Sequence, residues 1–242
     1  MAANIQNKIS VCFYLSGQNK NDMRILIVAA TVPEVMPLIE ALALQKAEEE
    51  NLYTPRHASI ANCSVLITGA GMVPTAFALA RHLPRNVYHL VINLGIAGSF
   101  DRAIQLGDVI EITQDTFSEL GAEDDKRFIS IERLELGASI FKPTTGISYF
   151  TKKISLNKAT AITVNTVHGN EESIKSVVER LNPQLESMEG AAFFYACHEL
   201  KVPCIQIRAV SNYVEKRNRD NWNIGLAVKN LNNFALEFLK GL

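Results

Sequence analysis

The sequence predicts an α/β protein, a three-layer α/β/α sandwich around a central mixed, mostly parallel sheet. Short apolar runs without strict alternation recur along the chain, as strands buried on both faces require. Helical patterns lie between them, and glycines gather where the runs end. Residues 25–30 form the first expected strand, followed by a helix over 33–47 that Thr31 and Glu34 open with capping-box spacing. The next strand, 65–68, leads through Gly69 and Gly71 into a helix at 74–83. Strands follow at 90–94, 109–113 and 161–164, then helices at 171–181 and 190–200, a strand at 204–210 and a closing helix at 222–239. Gly69, Gly71, Gly95, Gly98 and Gly107 are expected at strand ends, where the chain turns tightly or a ligand approaches the backbone.

The 242 residues suit one domain of slightly more than average size, with 48% hydrophobic and 20% charged residues excluding disorder for most of the length. Twenty-four Lys and Arg oppose 25 Asp and Glu, so there is no basic field for nucleic acid or anionic lipid, and a small molecule is the expected partner. Cys12, Cys63, Cys197 and Cys204 contain no CxxC pair, which argues against a metal site and a disulfide framework. No apolar stretch reaches membrane-spanning length, and the run at 9–15 lacks a cleavage signature, so a cytoplasmic protein is expected. Residues 1–22 read as an N-terminal extension, disordered or a misassigned start, before a single domain over 23–242.

In such folds ligands bind beyond the carboxyl ends of the strands. Five segments qualify there: 29–34, 68–71, 93–98, 187–190 and 208–212. Each has a plain structural reading. Glu34 completes a capping box, Glu189 complements a helix N-terminus, Asn212 suits a turn, and 68–71 matches neither a P-loop nor GxGxxG.

Together the segments resemble the purine nucleoside phosphorylase and uridine phosphorylase superfamily from Met23 to the end. The sequence Ser187-Met188-Glu189-Gly190-Ala191-Ala192, followed by Arg208-Ala209-Val210-Ser211-Asn212, is similar to the paired motifs of the methylthioadenosine/S-adenosylhomocysteine nucleosidases. The segment Ile27 to Glu34 is similar to their opening strand and catalytic-glutamate turn. Within the superfamily the pattern most resembles the futalosine hydrolases, also through residues 119–124, 163–167 and 219–222.

The resemblance implies N-ribosidic bond cleavage without metal or organic cofactor. Glu34 would activate water, Glu189 would hold the ribose hydroxyls, and Met188 would pack on the ribose face, with Gly71 and Gly95 beside the substrate. Two departures narrow the chemistry. Where related phosphorylases carry an arginine and a hydroxyl side chain for phosphate, this chain has Asn93 and Ile96, so water is the expected nucleophile. Where adenine-specific relatives carry Asp, it has Asn212, which suits a 6-oxopurine but cannot deliver a proton. Trp222, with Lys216, Arg217 and Arg219 nearby, reads as a helix-start anchor or as a cover for the substrate's non-purine end. His168 reads as a turn residue. The resemblance thus implies hydrolysis of futalosine to hypoxanthine and dehypoxanthine futalosine in menaquinone biosynthesis, by a homodimer. The rivals are release of adenine by a methylthioadenosine/S-adenosylhomocysteine nucleosidase and a non-catalytic nucleoside-binding protein.

Overall fold

A computed structural model describes residues 23–48, 51–55 and 62–242. The expected extension at 1–22, with Cys12, lies outside the described residues. The strands are β1 Arg24–Ala29, β2 Leu44–Lys46, β3 Leu52–Pro55, β4 Asn62–Ile67, β5 Leu90–Ser99, β6 Val109–Phe117, β7 Gly121–Asp124, β8 Arg127–Ser130, β9 Ile140–Phe141, β10 Asn157–Thr163, β11 Leu185–Ser187 and β12 Cys204–Tyr213. The helices are α1 Val32–Ala41, α2 Met72–His82, α3 Ile147–Phe150, α4 Glu171–Leu181, α5 Gly190–Glu199 and α6 Ile224–Lys240.

One mixed sheet organises the molecule in the order β11-β10-β6-β12-β5-β1-β4-β3-β2, with β9 beside β6. The central pairs β12–β5, β5–β1 and β1–β4 are parallel, whereas β12–β6 is antiparallel. The far end of the sheet curls back, because β11 also pairs antiparallel with the end of β5. Five strands therefore close into a ring.

Alternation along β1 explains the layers. Ile25, Ile27 and Ala29 enter one core with Val35 and Leu38 of α1 and Leu231, Phe234 and Phe238 of α6. Leu26 and Val28 enter the other, with Leu79 of α2 and Phe193, Phe194 and Cys197 of α5. Successive side chains leave a strand on opposite faces, so an unbroken apolar run is what two covered faces demand.

Two sequence expectations are corrected. The helix expected over 33–47 stops at Ala41. Ala43 takes a left-handed φ of 51°, and residues 44–46 pair with β3, which buries Leu44 while Gln45 and Lys46 face outward. The strand expected at 90–94 continues to Ser99, so Gly95 and Gly98 lie inside β5 rather than at its end. Both are glycine because another group crowds their Cα, Arg208 at Gly95 and Val214 at Gly98. The strands β2, β3, β7, β8, β9 and β11 are too short to show a hydrophobic period and were not expected.

No helix among the described residues is long and apolar enough to cross a membrane. No cluster of three or more His, Cys, Asp or Glu among them has a metal-binding arrangement.

Candidate active site

Glu34 stands in the first turn of α1, immediately after β1. Its Oε2 accepts from the Thr31 N–H at 2.9 Å and the Thr31 hydroxyl at 2.8 Å, which realises the expected capping interaction. The same carboxylate does more than cap. Its Oε1 accepts from the Ile96 N–H of β5 at 3.2 Å, across a sequence gap of 62 residues. Two donors saturate Oε2, and one lone pair of Oε1 remains for a further proton donor such as water.

The backbone of Glu34 is held from α6. Asn232, buried, donates through Nδ2 to the Glu34 carbonyl at 2.8 Å and accepts through Oδ1 from the Leu38 N–H at 3.0 Å. Its side chain thus bridges the carbonyl and amide ends of an i to i+4 position in α1, a helix already interrupted by Pro37. Nothing local in the sequence marks this residue.

Glu189 caps the start of α5 just beyond β11 and is 6% exposed. Its Oε1 accepts from the Gly71 N–H at 3.0 Å. Gly71 has a φ of 101°, a conformation that favours glycine and aims that N–H inward. Burial pushes the Glu189 carboxyl above its ordinary value, and the Glu34 charge adds to this, while the Arg208 charge and the Gly71 N–H oppose it.

Arg208, 1% exposed in the middle of β12, links the two halves of the site. Its Nη2 donates to Asn93 Oδ1 at 2.6 Å and lies 3.7 Å from Glu189 Oε2. Its Nη1 lies over Gly95, where a Cβ would stand 2.0 Å from that nitrogen and 3.2 Å from Glu34 Oε1. The bare Cα of Gly95 therefore makes room for a guanidinium between two carboxylates. Sequence reading placed Arg208 inside a motif and gave it no role. The available signal was a charged residue in an apolar run expected to be buried on both faces.

Beneath Glu189 lies a buried polar network. Asp115, fully buried, accepts from the Thr163 hydroxyl at 2.8 Å and from Gln206 Nε2 at 2.9 Å, and Thr163 Oγ1 accepts the Ala191 N–H of α5 at 2.7 Å. Burial pushes the Asp115 carboxyl up to about 6 against these bonds and the Arg208 charge. A Cβ on Gly190 would stand 2.0 Å from Asp115 Oδ2, which is why glycine follows Glu189.

Asn212, next to last in β12, pairs with Gly98. Its Nδ2 donates to the Tyr213 carbonyl at 3.0 Å and its Oδ1 accepts the Ser211 hydroxyl at 2.8 Å, so one donor hydrogen and one acceptor lone pair stay available. On the other side of Gly98 stands Glu186, 4% exposed, which sequence reading missed. Its Oε1 accepts the His168 N–H at 3.1 Å, and its Oε2 lies 2.6 Å from His168 Nδ1. His168, expected in a turn, lies in the irregular segment between β10 and α4, and both its backbone N–H and its ring are committed to this carboxylate. Met188, which precedes Glu189, is half-buried. Trp222 is also half-buried, with the Arg217 guanidinium 5.3 Å from its ring centre. The next residue, Asn223, donates its N–H to the Ser211 carbonyl at 2.7 Å, which anchors the Trp222 loop beside Asn212.

Comparison with known proteins relates the chain to nucleosidases. The chain is 29% identical over 162 residues to a futalosine hydrolase of Thermus thermophilus, covering 65% of this chain and 72% of the relative. It is 27% identical over 212 residues to a 5'-methylthioadenosine/S-adenosylhomocysteine nucleosidase of Colwellia psychrerythraea, covering 81% and 86%. The fold matches the crystal structure of that nucleosidase from Colwellia psychrerythraea 34H in complex with adenine, with a TM-score of 0.78 over 91% of this chain and 96% of the other, at 24% identity. A family model described as the Phosphorylase superfamily matches residues 24–240, a span that holds Glu34, Glu189 and Asn212, and the chain belongs to that superfamily.

Proposed function

We propose that this protein is a nucleosidase that hydrolyses the N-ribosidic bond of futalosine, releasing hypoxanthine and dehypoxanthine futalosine. One observation carries the choice of water over phosphate. Asn93, at the position where phosphate-using relatives resemble one another in carrying arginine, spends its side chain internally: Nδ2 donates to the Val28 carbonyl at 3.0 Å and Oδ1 accepts from Arg208. Ile96 offers an aliphatic side chain where those relatives carry a hydroxyl.

The chemistry follows from where charge develops. As the bond from the anomeric carbon to N9 breaks, its electron pair leaves with the purine and the sugar becomes cationic. Glu34 uses the open lone pair of Oε1 to orient water and take its proton as the water oxygen bonds to the anomeric carbon. Glu189 accepts from the ribose hydroxyls through Oε2, the oxygen that Gly71 leaves free, and adds negative potential beside the cationic ring. Asn212 donates from Nδ2 to the departing base. The proton that Glu34 takes equals the one the free purine needs, so turnover is proton-neutral. Met188 packs on the ribose, and the Trp222 loop covers the substrate. The reading also has the single domain over 23–242 act as a cytoplasmic homodimer in menaquinone biosynthesis, on the strength of the family resemblance.

The test is parallel incubation with futalosine, methylthioadenosine and inosine, with and without phosphate, followed by identification of the released base. Phosphate-independent release of hypoxanthine from futalosine is expected. Faster release of adenine from methylthioadenosine overturns the assignment in favour of the adenine nucleosidase, and no release from any substrate overturns catalysis altogether.

A further inference from the structure

Glu189 holds the N-cap position of α5, yet its side chain makes no bond to that helix. A cap side chain ordinarily accepts the N–H two or three residues on, and a carboxylate that did so would be turned away from a substrate. Glu189 instead accepts from the Gly71 N–H and faces Arg208. The N–H groups that open α5 still need an acceptor, because Gly190, Ala191 and Ala192 are all buried.

Thr163 of β10, 28 residues before Ala191, supplies it. Its Oγ1 accepts the Ala191 N–H at 2.7 Å, the bond that a cap side chain would have made. A hydroxyl has one proton, and Thr163 gives its own to Asp115 Oδ1 at 2.8 Å, so a lone pair is left facing the helix. Asp115 is in turn fixed by Gln206 Nε2 at 2.9 Å. Glycine at 190 lets the first turn of α5 rest on this pair, since a Cβ there would stand 2.0 Å from Asp115 Oδ2 and 2.3 Å from Gln206 Nε2. The next residue of β10, Val164, donates its N–H to the Ser187 carbonyl at 3.0 Å. Consecutive residues of one strand therefore hold the chain two residues before Glu189 and two residues after it, which fixes the backbone from which the carboxylate projects.

We propose that Thr163, oriented by Asp115, is a positioning residue for Glu189: it caps α5 in place of Glu189 and so leaves that carboxylate aimed at the ribose. This inference rests on the nucleosidase reading above and concerns how that site is held.

Steady-state hydrolysis of futalosine and of its 2'-deoxy analogue by the unaltered protein, Thr163→Val and Thr163→Ser tests it. Thr163→Val keeps the volume but neither accepts nor donates, and it should lower kcat/KM on futalosine by roughly 10- to 100-fold. The 2'-deoxy analogue lacks one hydroxyl that Glu189 orients, so its rate should fall less, and the ratio of the two rates should shrink by about fivefold or more. Thr163→Ser restores the hydroxyl and should keep the ratio within about twofold of the parent. A role in stability alone scales both rates together, so an unchanged ratio in folded Thr163→Val overturns the proposal while leaving futalosine hydrolysis intact. Equal rates of the unaltered protein on both substrates, or no hydrolysis of either, overturns the reading of Glu189 and the proposal with it. Should Thr163→Val fail to fold, Thr163→Ala reads the same ratio with less crowding, and the same outcomes decide.

Discussion

Replacing Gly95 by alanine adds one methyl group at the point where the site has least room. The new Cβ would lie 2.0 Å from Arg208 Nη1, and ordinary contact begins near 3.4 Å, so the guanidinium must retreat by about 1.4 Å. It has no open space to enter, being 1% exposed and bonded to Asn93 at 2.6 Å. Retreat sacrifices that charge-assisted bond, worth about 1.5–3 kcal/mol, and overpacking adds about 1–3 kcal/mol. The expected loss of stability is therefore about 2.5–6 kcal/mol, read from denaturant midpoints at constant slope. Because Arg208 also approaches Glu189, and Glu34 Oε1 lies 3.2 Å from the same Cβ position, nucleoside hydrolysis should fall by about 100-fold or more. A variant within about 0.5 kcal/mol and about twofold of the parent would show that the guanidinium is not confined as described.

Glu34→Gln should abolish hydrolysis and cost only about 1–2 kcal/mol, because the amide keeps the volume but turns one donor-facing oxygen into a donor; near-parental turnover would reduce Glu34 to a helix cap. Asn232→Ala removes the bridge to α1 and leaves the Glu34 carbonyl without that donor; a loss of about 2–4 kcal/mol and a fall in kcat larger than any change in KM are expected, and unchanged kcat in the folded variant would confine Asn232 to stability. Asp115 carries a carboxyl raised from 3.8 to about 6, so the folded state holds its proton where the unfolded chain has released it. Its contribution is fully present below about pH 4 and is lost as pH rises through about 6, a span of roughly 3 kcal/mol. Asp115→Asn should flatten that part of the profile, measured by denaturant midpoints from about pH 4 to about pH 7, and an unchanged slope would refute the linkage. Asn212→Asp should lose activity on the 6-oxopurine nucleoside by about ten- to a few hundredfold and move the preference toward adenine; an unchanged ratio of hypoxanthine to adenine release would show that Asn212 does not read the base.

Several residues that the structure brings to the candidate site carry local signals in the sequence. Thr31 and Glu34 announce a helix start, the Met188-Glu189 pair precedes an apolar helix, and Ser211-Asn212 follows the mostly apolar run at 204–210. The roles of Arg208, Glu186 and Asn232 were not legible, since each depends on a partner far away in sequence. The stretch 42–47 misled for a related reason: its composition suits a helix, and only pairing with β3 makes it a strand.

By itself the sequence determined the alternation of buried strands and covering helices, the capping carboxylate at Glu34 and the polar residues that end the strands. These are short-range properties, governed by periodicity and by hydrogen bonds within one turn. Tertiary structure alone decided that β11 returns to pair with β5, that Glu186 and Asn212 flank Gly98, and that Arg208 fills the space over Gly95 between two carboxylates. Those arrangements follow from strand register, which is set by the burial of both sheet faces at once, and no local window of the chain contains both members of any such pair.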